Sequence, residues 1–113
     1  MNLTINRTGD VAVVRVGEGR LMYPILSEFS QAVTSLFAAG DRKVVVDLSG
    51  VTYIDSASIG CLMDLYRRAT QAGGRLKLSG VQKRVVTMLT MTGAHNFLEI
   101  HPDEAAAVQS FGG

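Results

Sequence analysis

The sequence has few of the residues that signal metal binding, disulfide bonding or nucleotide binding. It contains one cysteine and two histidines among 113 residues. The single cysteine, Cys61, cannot form an internal disulfide, which favours a reducing compartment. Neither His95 nor His101 stands at a metal-type spacing from Cys61 or from an acidic pair. No Gly-x-x-x-x-Gly-Lys motif is present either. We therefore predict no metal site and no cofactor.

Charge and hydropathy exclude further classes. Eleven Lys and Arg residues against ten Asp and Glu give a net charge of +1, and the basic residues are scattered along the chain. Binding to nucleic acid is therefore not expected. The apolar runs are too short to span a bilayer, and the N-terminus lacks the layout of a signal peptide. We predict a cytoplasmic protein with no membrane insertion, folded as a single domain over residues 1–113.

The hydrophobic pattern predicts strands and helices that alternate after an N-terminal hairpin. The near-continuous apolar run Val44–Leu48 is typical of a central strand covered on both faces. These patterns together indicate a mixed sheet with helices packed against it. The predicted strands lie at Leu3–Arg7, Val11–Val16, within Lys43–Ile54, at Leu76–Leu78 and at Phe97–Ile100, and the predicted helices lie between Pro24 and Gly40, at Ile59–Ala72, between Val81 and Gly93, and at Pro102–Phe111.

The segment Asp55–Gly60 is the most informative part of the chain. It stands where the strand-like run ends and a helical pattern begins. Free N–H groups and the positive end of the helix dipole favour polar and anionic groups there. Such a site can cap the helix, hold a phosphate, or present a serine to a modifying enzyme. A cap contributes about 1 kcal/mol and needs only one residue, whereas three candidates are present. They are Asp55, Ser56 and Ser58.

The same helix has a second stripe of residues beside its predicted core face. Counting from Ser58 at helical spacing leads to Cys61, Leu65 and Arg68. Either neighbouring helices cover this flank, or it forms a strip that contacts a partner next to the serines. The predicted core face consists of Ile59, Leu62, Met63, Tyr66 and Ala69.

Catalytic motifs are absent from this segment. The sequence around Ser56 is not Gly-x-Ser-x-Gly, and Asp55 directly precedes the serine, so a catalytic triad is not indicated. Spacing alone nominates no pair of groups for general acid–base catalysis. We therefore do not expect an enzyme.

With these residues in view, the chain resembles the STAS domain of bacterial anti-sigma factor antagonists. The resemblance is close over residues 43–101 and looser in the N-terminal half. It implies an α/β fold in which a mixed β-sheet of four to five strands packs against a layer of about four α-helices. The segments that carry it are Val44–Leu48, Val51–Ser56, Ile59–Gly60, Ala72–Leu76, Val81–Met91 and Thr92–Gly93.

The resemblance also implies a function as a binding module without catalytic activity. In that family the serine after the aspartate is phosphorylated by a partner serine kinase that is itself the anti-sigma factor. By position this serine is Ser56. A PP2C-type phosphatase reverses the modification, and only the unphosphorylated antagonist binds its partner. The expected partner-binding residues are Asp55, Ser56, Ser58, Cys61 and Leu65.

The chain differs from the family pattern at two positions in the motif. Ala57 replaces a hydroxyl residue and Ser58 replaces a glycine, so Ser58 either obstructs a kinase or offers another hydroxyl. The family also often has an acidic residue near the position of Arg20. Two other functions remain open. One is a constitutive docking subunit of a lipid-transport complex or stressosome-like scaffold, with Ser56 only a helix cap. The other is a nucleotide-binding sensor or enzyme.

Overall fold

The computed structural model describes residues 1–112; Gly113, the last residue of the predicted domain, lies outside the described residues. Strands and helices alternate along the chain after an N-terminal hairpin. The strands are β1 (Leu3–Thr8), β2 (Val11–Val16), β3 (Arg20–Leu21), β4 (Lys43–Asp47), β5 (Tyr53–Ile54), β6 (Arg75–Ser79) and β7 (Ile100–His101). The α-helices are α1 (Leu26–Ala38), α2 (Ser56–Gln71), α3 (Lys83–Met91) and α4 (Glu104–Gln109).

Five of the strands form one mixed sheet in the order β1-β2-β4-β6-β7. The β1–β2 pair is antiparallel and closes through a turn in which Gly9 takes a φ of 62°, a value that suits glycine. The other pairs of this sheet are parallel, as expected for strands connected through helices. The short strands β3 and β5 form a separate parallel pair that carries the chain to the start of α2.

Helices cover both faces of the five-stranded sheet. Val44 and Val46 of β4 point toward α1, α2 and α3, where the larger hydrophobic core lies. Val45 points to the other face and packs in a smaller cluster with Ala107 of α4. The predicted mixed sheet with four helices is confirmed, and β4 is covered on both faces as predicted. Helices α1, α2 and α3 lie on one face and α4 lies on the other. Both faces are covered because successive residues of β4 are apolar and point to opposite faces.

The strand-like run Lys43–Ile54 is interrupted, which the sequence pattern did not predict. Strand β4 ends at Asp47, whose carboxylate accepts two hydrogen bonds from Ser49. The N–H of Ser49 donates at 3.0 Å and the hydroxyl of Ser49 donates at 2.6 Å. This side chain–backbone contact turns the chain out of the sheet. Extended structure resumes at β5, which pairs with β3 and not with the main sheet.

The predicted strand Phe97–Ile100 is wrong at its N-terminal end. A short 3-10 turn precedes it, and the N–H groups of Phe97 and Leu98 both donate to the carbonyl of Ala94. Leu98 is buried under the sheet while Phe97 is 55% exposed. Only Ile100 and His101 pair with β6. The local turn therefore overrides the strand propensity of Phe97.

Side-chain caps set the starts of two helices at positions different from those predicted. Helix α2 begins at Ser56, three residues before the predicted Ile59, because Asp55 caps it. Helix α4 begins after Asp103, whose carboxylate accepts a hydrogen bond from the N–H of Ala106 at 2.8 Å. Pro102 therefore lies outside the helix. Both caps are aspartates in extended conformation, which is the usual arrangement for this role.

Candidate partner-binding site

Asp55 is the N-cap of α2. Its Oδ1 atom accepts hydrogen bonds from the N–H of Ser58 at 2.8 Å and from the Ser58 hydroxyl at 2.6 Å. Its Oδ2 atom accepts a hydrogen bond from the N–H of Tyr23 at 3.0 Å, which ties α2 to the segment before α1. The hypothesis that Ser56 serves as the cap is therefore wrong, since Ser56 is the first residue inside the helix.

These hydrogen bonds keep Asp55 ionised. Partial burial by itself would raise the pKa of the Asp55 carboxyl, because burial disfavours the charged form. The hydrogen bonds from the Ser58 hydroxyl, the Ser58 N–H and the Tyr23 N–H together outweigh burial, and the pKa lies below its ordinary value. The first turn of α2 thus carries a fixed negative charge at neutral pH.

Ser58 is fully buried and cannot contact a partner, so its predicted role in binding is wrong. Its hydroxyl lies within hydrogen-bonding distance of the carbonyl of Leu21 as well as of Asp55. The cause is the strand β3, whose backbone lies against the first turn of α2 and covers position 58. The serine that replaces the family's glycine is therefore a structural residue and neither obstructs the surface nor offers a second accessible hydroxyl.

Ser56 is the accessible hydroxyl of the segment. It is exposed, and its hydroxyl has no hydrogen-bond partner among residues 1–112, while the neighbouring Ala57 is also exposed. Helix α2 has 16 residues, and Ser56 stands at its positive end. Capping thus uses Asp55 and Ser58 and leaves Ser56 without a structural hydrogen bond.

Leu65 lies in the core, and its predicted contact with a partner is wrong. It is 0% exposed, because α1 and the sheet cover α2 on adjacent sides. The buried face of α2 is therefore rotated relative to the predicted core face. It includes Leu65 in addition to the predicted Ile59, Leu62 and Ala69, whereas the predicted Met63 and Tyr66 are only half-buried. Cys61 is half-buried, and burial raises the pKa of its thiol above the ordinary value. The nearby Asp64 also raises this pKa, so the thiol is protonated at neutral pH.

A shallow apolar depression opens beside Ser56, and we call it the Ser56 groove. Its volume is about 250 Å³. Met91 at its edge is 81% exposed, and Tyr23, whose N–H binds Asp55, is 75% exposed. Methionine and tyrosine side chains at this exposure are typical of surfaces that bind partners. The lining residues are Tyr53, Ile54, Asp55, Ser56, Ile59, Met88, Met91 and Thr92.

The contribution of α3 to this groove was not predicted from the sequence. Met88 and Met91 stand three residues apart and share one helix face, and Met91 is not part of the buried face formed by Val85 and Leu89. This spacing was the one feature of the sequence that could have indicated an apolar surface on α3. That α3 packs next to the start of α2, and so places its methionines beside Ser56, is visible only in the fold.

One cation lies at the border of the groove. Arg20 of β3 pairs with Tyr53 of β5, and its guanidinium carbon lies 5.9 Å from the centre of the Tyr53 ring. This distance is within the range of cation–π contacts. Since Tyr53 also lines the Ser56 groove, a positive charge stands next to an otherwise apolar surface.

The Ser56 groove has few charged side chains. Its lining includes one carboxylate, that of Asp55, and no histidine, lysine or arginine. Among residues 1–112, no group of three His, Cys, Asp or Glu side chains is placed to hold a metal ion. Within the same residues, no helix combines the length and apolar character that crossing a membrane requires. An exposed hydroxyl beside an apolar surface suits a modifiable contact site.

The mixed sheet and its helices define a small α/β domain, and comparison with known proteins assigns it to a family. Residues 3–100 match the family described as "Mlab, STAS domain". The chain therefore belongs to the STAS-domain family, and the resemblance seen in the sequence is confirmed. It is 27% identical over 103 residues to the anti-sigma-B factor antagonist of Staphylococcus aureus, covering 89% of this chain and 94% of that protein.

Solved structures have the same fold. The anti-sigma-factor antagonist (STAS) domain protein from Planctomyces limnophilus superimposes with a TM-score of 0.88 at 17% identity, covering 98% of each chain. The Bacillus cell fate determinant SpoIIAA in its phosphorylated form has a TM-score of 0.74 at 14% identity, covering 97% of this chain and 99% of that chain. In its unphosphorylated form the TM-score is 0.73 at 17% identity, covering 98% and 99%. At these identities the likeness concerns the fold alone.

Proposed function

We propose that this protein is an anti-sigma factor antagonist without enzymatic activity. In its unphosphorylated form it binds an anti-sigma factor that is also a serine kinase, and phosphorylation of Ser56 ends that binding. The observation that carries the proposal is the exposed Ser56 hydroxyl, which has no structural hydrogen bond among residues 1–112 and stands at the rim of an apolar groove. The anti-sigma-B factor antagonist of S. aureus, similar over most of its length, supports it.

The physical basis of the switch is a change in charge on an otherwise apolar contact surface. A phosphate on Ser56 adds about −1.5 to −2 charges at neutral pH. The N-terminal end of α2 tolerates this charge, so the fold is retained. A partner surface packed on Met88 and Met91 would then face a hydrated dianion beside the ionised Asp55. Desolvating these two negative groups is unfavourable. The two solved forms of SpoIIAA, equally similar to this chain, support a fold that persists through phosphorylation.

The proposed contact surface is the Ser56 groove together with Tyr23 and Arg20. We place Asp55 and Cys61 only at the border of this contact surface. The Asp55 carboxylate is occupied by hydrogen bonds, and the Cys61 thiol is half-buried. The same exposure that admits a kinase to Ser56 admits a PP2C-type phosphatase, which we propose as the enzyme that resets the switch.

The test combines phosphosite mapping with binding to the anti-sigma kinase. We expect the kinase and ATP to add one phosphate, mapped by fragmentation mass spectrometry to Ser56 and absent in Ser56→Ala. Ser56→Ala should still bind the kinase, whereas Ser56→Glu should lose most of the affinity. Ser35→Glu on the exposed part of α1 adds the same charge elsewhere and should bind like wild type. Label at another residue, or equal binding by Ser56→Glu and Ser35→Glu, would refute the switch.

A second candidate is a constitutive docking subunit of another assembly, such as a lipid-transport complex or a stressosome-like scaffold. It is favoured by the description of the matching family as "Mlab, STAS domain", not as an antagonist family. The Ser56 groove would then hold its partner permanently. In this case the protein purified from its native cells would carry no phosphate, and Ser56→Ala would support the assembly as well as wild type does.

A further inference from the structure

A second depression, which we call the basic cleft, lies away from the Ser56 groove. It is half-open and has a volume of about 260 Å³. Four of the residues that line it are cationic, although the sequence spreads its eleven basic residues without any stripe. The lining residues are Arg42, Lys43, Gly73, Gly74, Arg75, Lys77, Ser110 and Phe111.

The register of two parallel strands brings these cations together. Lys43 at the start of β4 is paired with Arg75 at the start of β6, and Lys77 follows two residues later. The N–H of Arg75 donates to the carbonyl of Arg42 at 2.7 Å. A side chain at Gly74 would place its Cβ 2.2 Å from that carbonyl oxygen, so the close approach depends on glycine.

The charges of the basic cleft are only partly neutralised within the protein. Lys43 pairs with Asp10 at 2.8 Å, and Lys77 pairs with Glu99 at 3.0 Å. Arg42 and Arg75 form no salt bridge with any carboxylate of residues 1–112. The Nη1 atom of Arg42 donates to the carbonyls of Phe37, at 3.5 Å, and of Asp41, at 3.1 Å. The four cations exceed the two paired carboxylates by two charges. The C-terminal ends of α1, α2 and α4 add partial negative charge, which reduces this excess without cancelling it.

Lys77 forms the inner wall of the basic cleft. Its side chain is 7% exposed. Its Nζ atom donates to the hydroxyl of Ser110 at 2.8 Å and lies 4.4 Å from the centre of the Phe111 ring. The Nζ atom is thus held in one position behind the exposed Arg42 and Arg75, whose guanidinium groups are planar donors.

We propose that the basic cleft binds a small phosphate-bearing anion of the size of pyrophosphate. Its volume is below the range of about 300–1,000 Å³ that drug-sized ligands occupy, which favours a compact ligand. The guanidinium groups of Arg42 and Arg75, which form no salt bridge within residues 1–112, offer planar donors that match phosphate oxygens. The residual positive charge favours an anion, and Phe111 provides an apolar wall beside it.

This site is independent of the proposed function. The basic cleft stands at the C-terminal end of α2, which has 16 residues, and Ser56 stands at its N-terminal end. At 1.5 Å per residue the helix separates them by about 24 Å. An anion in the basic cleft therefore does not touch the partner surface.

The test is a titration of the full chain with inorganic pyrophosphate at low ionic strength, followed by amide NMR. We expect saturable shifts at Gly73, Gly74 and Ser110. Arg75→Gln and Arg42→Gln should each weaken binding about tenfold, as expected for loss of one charge-assisted hydrogen bond. Arg84→Gln, an exposed cation outside the cleft, should change it less than about twofold by the same reasoning.

The remaining outcomes are decisive. Tighter binding of a nucleoside diphosphate than of pyrophosphate would support the site and identify the ligand as a phosphorylated organic compound. Tighter binding of pyrophosphate would support it with the free inorganic anion as ligand. Absence of saturable shifts, or an equal effect of Arg84→Gln and Arg75→Gln, would overturn the proposal. Melting temperatures of the variants check that each remains folded, and Arg75→Lys should recover part of the affinity if charge matters there.

Discussion

Asp55 and Ser58 form a closed pair in which one carboxylate oxygen accepts both the N–H and the hydroxyl of the residue three positions later. The two residues flank Ser56 and Ala57, and their polar side chains bond to each other. The Asp55 carboxylate thus provides an acceptor both for a free N–H at the start of α2 and for the hydroxyl of the buried Ser58. Ser56 is therefore available for modification without any loss of structural hydrogen bonds.

Asp55→Ala should destabilise the protein much more than Ser56→Ala. The alanine removes the cap of α2 and leaves the N–H groups of Ser58 and Tyr23 without their carboxylate partner. We expect a loss of about 1–2 kcal/mol in the free energy of unfolding, whereas Ser56→Ala should stay within about 0.5 kcal/mol of wild type. Chemical denaturation of the two variants measures both values. Equal losses would mean that Ser56 contributes to the cap after all.

Leu65→Ala and Cys61→Ala should separate the core of α2 from its half-buried flank. Leu65 is fully buried, so its truncation should cost about 2–5 kcal/mol. Cys61 is partly exposed, and its truncation should cost about 1 kcal/mol or less. Both are measured by denaturant unfolding of proteins that keep the same secondary structure. A small loss for Leu65→Ala would restore the hypothesis of an exposed strip.

Local pattern predicted the architecture because its signals are contained within single elements. The β-branched run Val11–Val16, the apolar run within β4 and the helical spacing of α2 each report their own secondary structure. The position of the polar segment between β5 and α2 was predicted in the same way. Caps and strand ends were less accurate, because Asp47 and Asp55 act through short side chain–backbone contacts.

The sequence could not show which polar group of the segment is free, because distant parts of the chain decide it. The Tyr23 N–H fixes Asp55 from 32 positions away, and the carbonyl of Leu21 covers Ser58 from 37 positions away. In the same way, the pairing of Lys43 with Arg75 in the sheet gathers cations that look scattered in the sequence. Tertiary contacts of this kind leave no local periodicity to read.

Stability should fall in acid partly through Asp47. Burial alone would raise the pKa of this carboxyl, but hydrogen bonds from the Ser49 hydroxyl and N–H and from the Ser79 hydroxyl hold the pKa below its ordinary value. The contribution is therefore complete above the unfolded-state pKa of about 3.9 and is lost as pH falls through the lower folded-state pKa.

Asp47→Asn tests this linkage. The variant should be less stable than wild type at neutral pH, and the difference should shrink as the solution is acidified toward pH values of about 3. Ser49→Ala and Ser79→Ala each remove a hydroxyl that donates to this carboxylate. Each should therefore make the free energy of unfolding depend less on pH in acid. A difference between Asp47→Asn and wild type that does not change with pH would exclude the ionised carboxylate as its source.

Glycine-to-alanine substitutions within α2 and just after it should have opposite effects on the free energy of unfolding. Gly60 lies within the helix and has open space where a Cβ would stand, so Gly60→Ala should stabilise the protein by about 0.5–1 kcal/mol through lower backbone entropy of the unfolded chain. At Gly74 the added Cβ would meet the carbonyl oxygen of Arg42 at 2.2 Å, which backbone movement alone can relieve. We expect Gly74→Ala to destabilise by about 1–3 kcal/mol or more, as overpacking does. Thermal and denaturant unfolding of the pair give the two signs directly, and a stabilising Gly74→Ala would show that β4 and β6 do not approach as closely as the hydrogen bond from Arg75 to Arg42 requires.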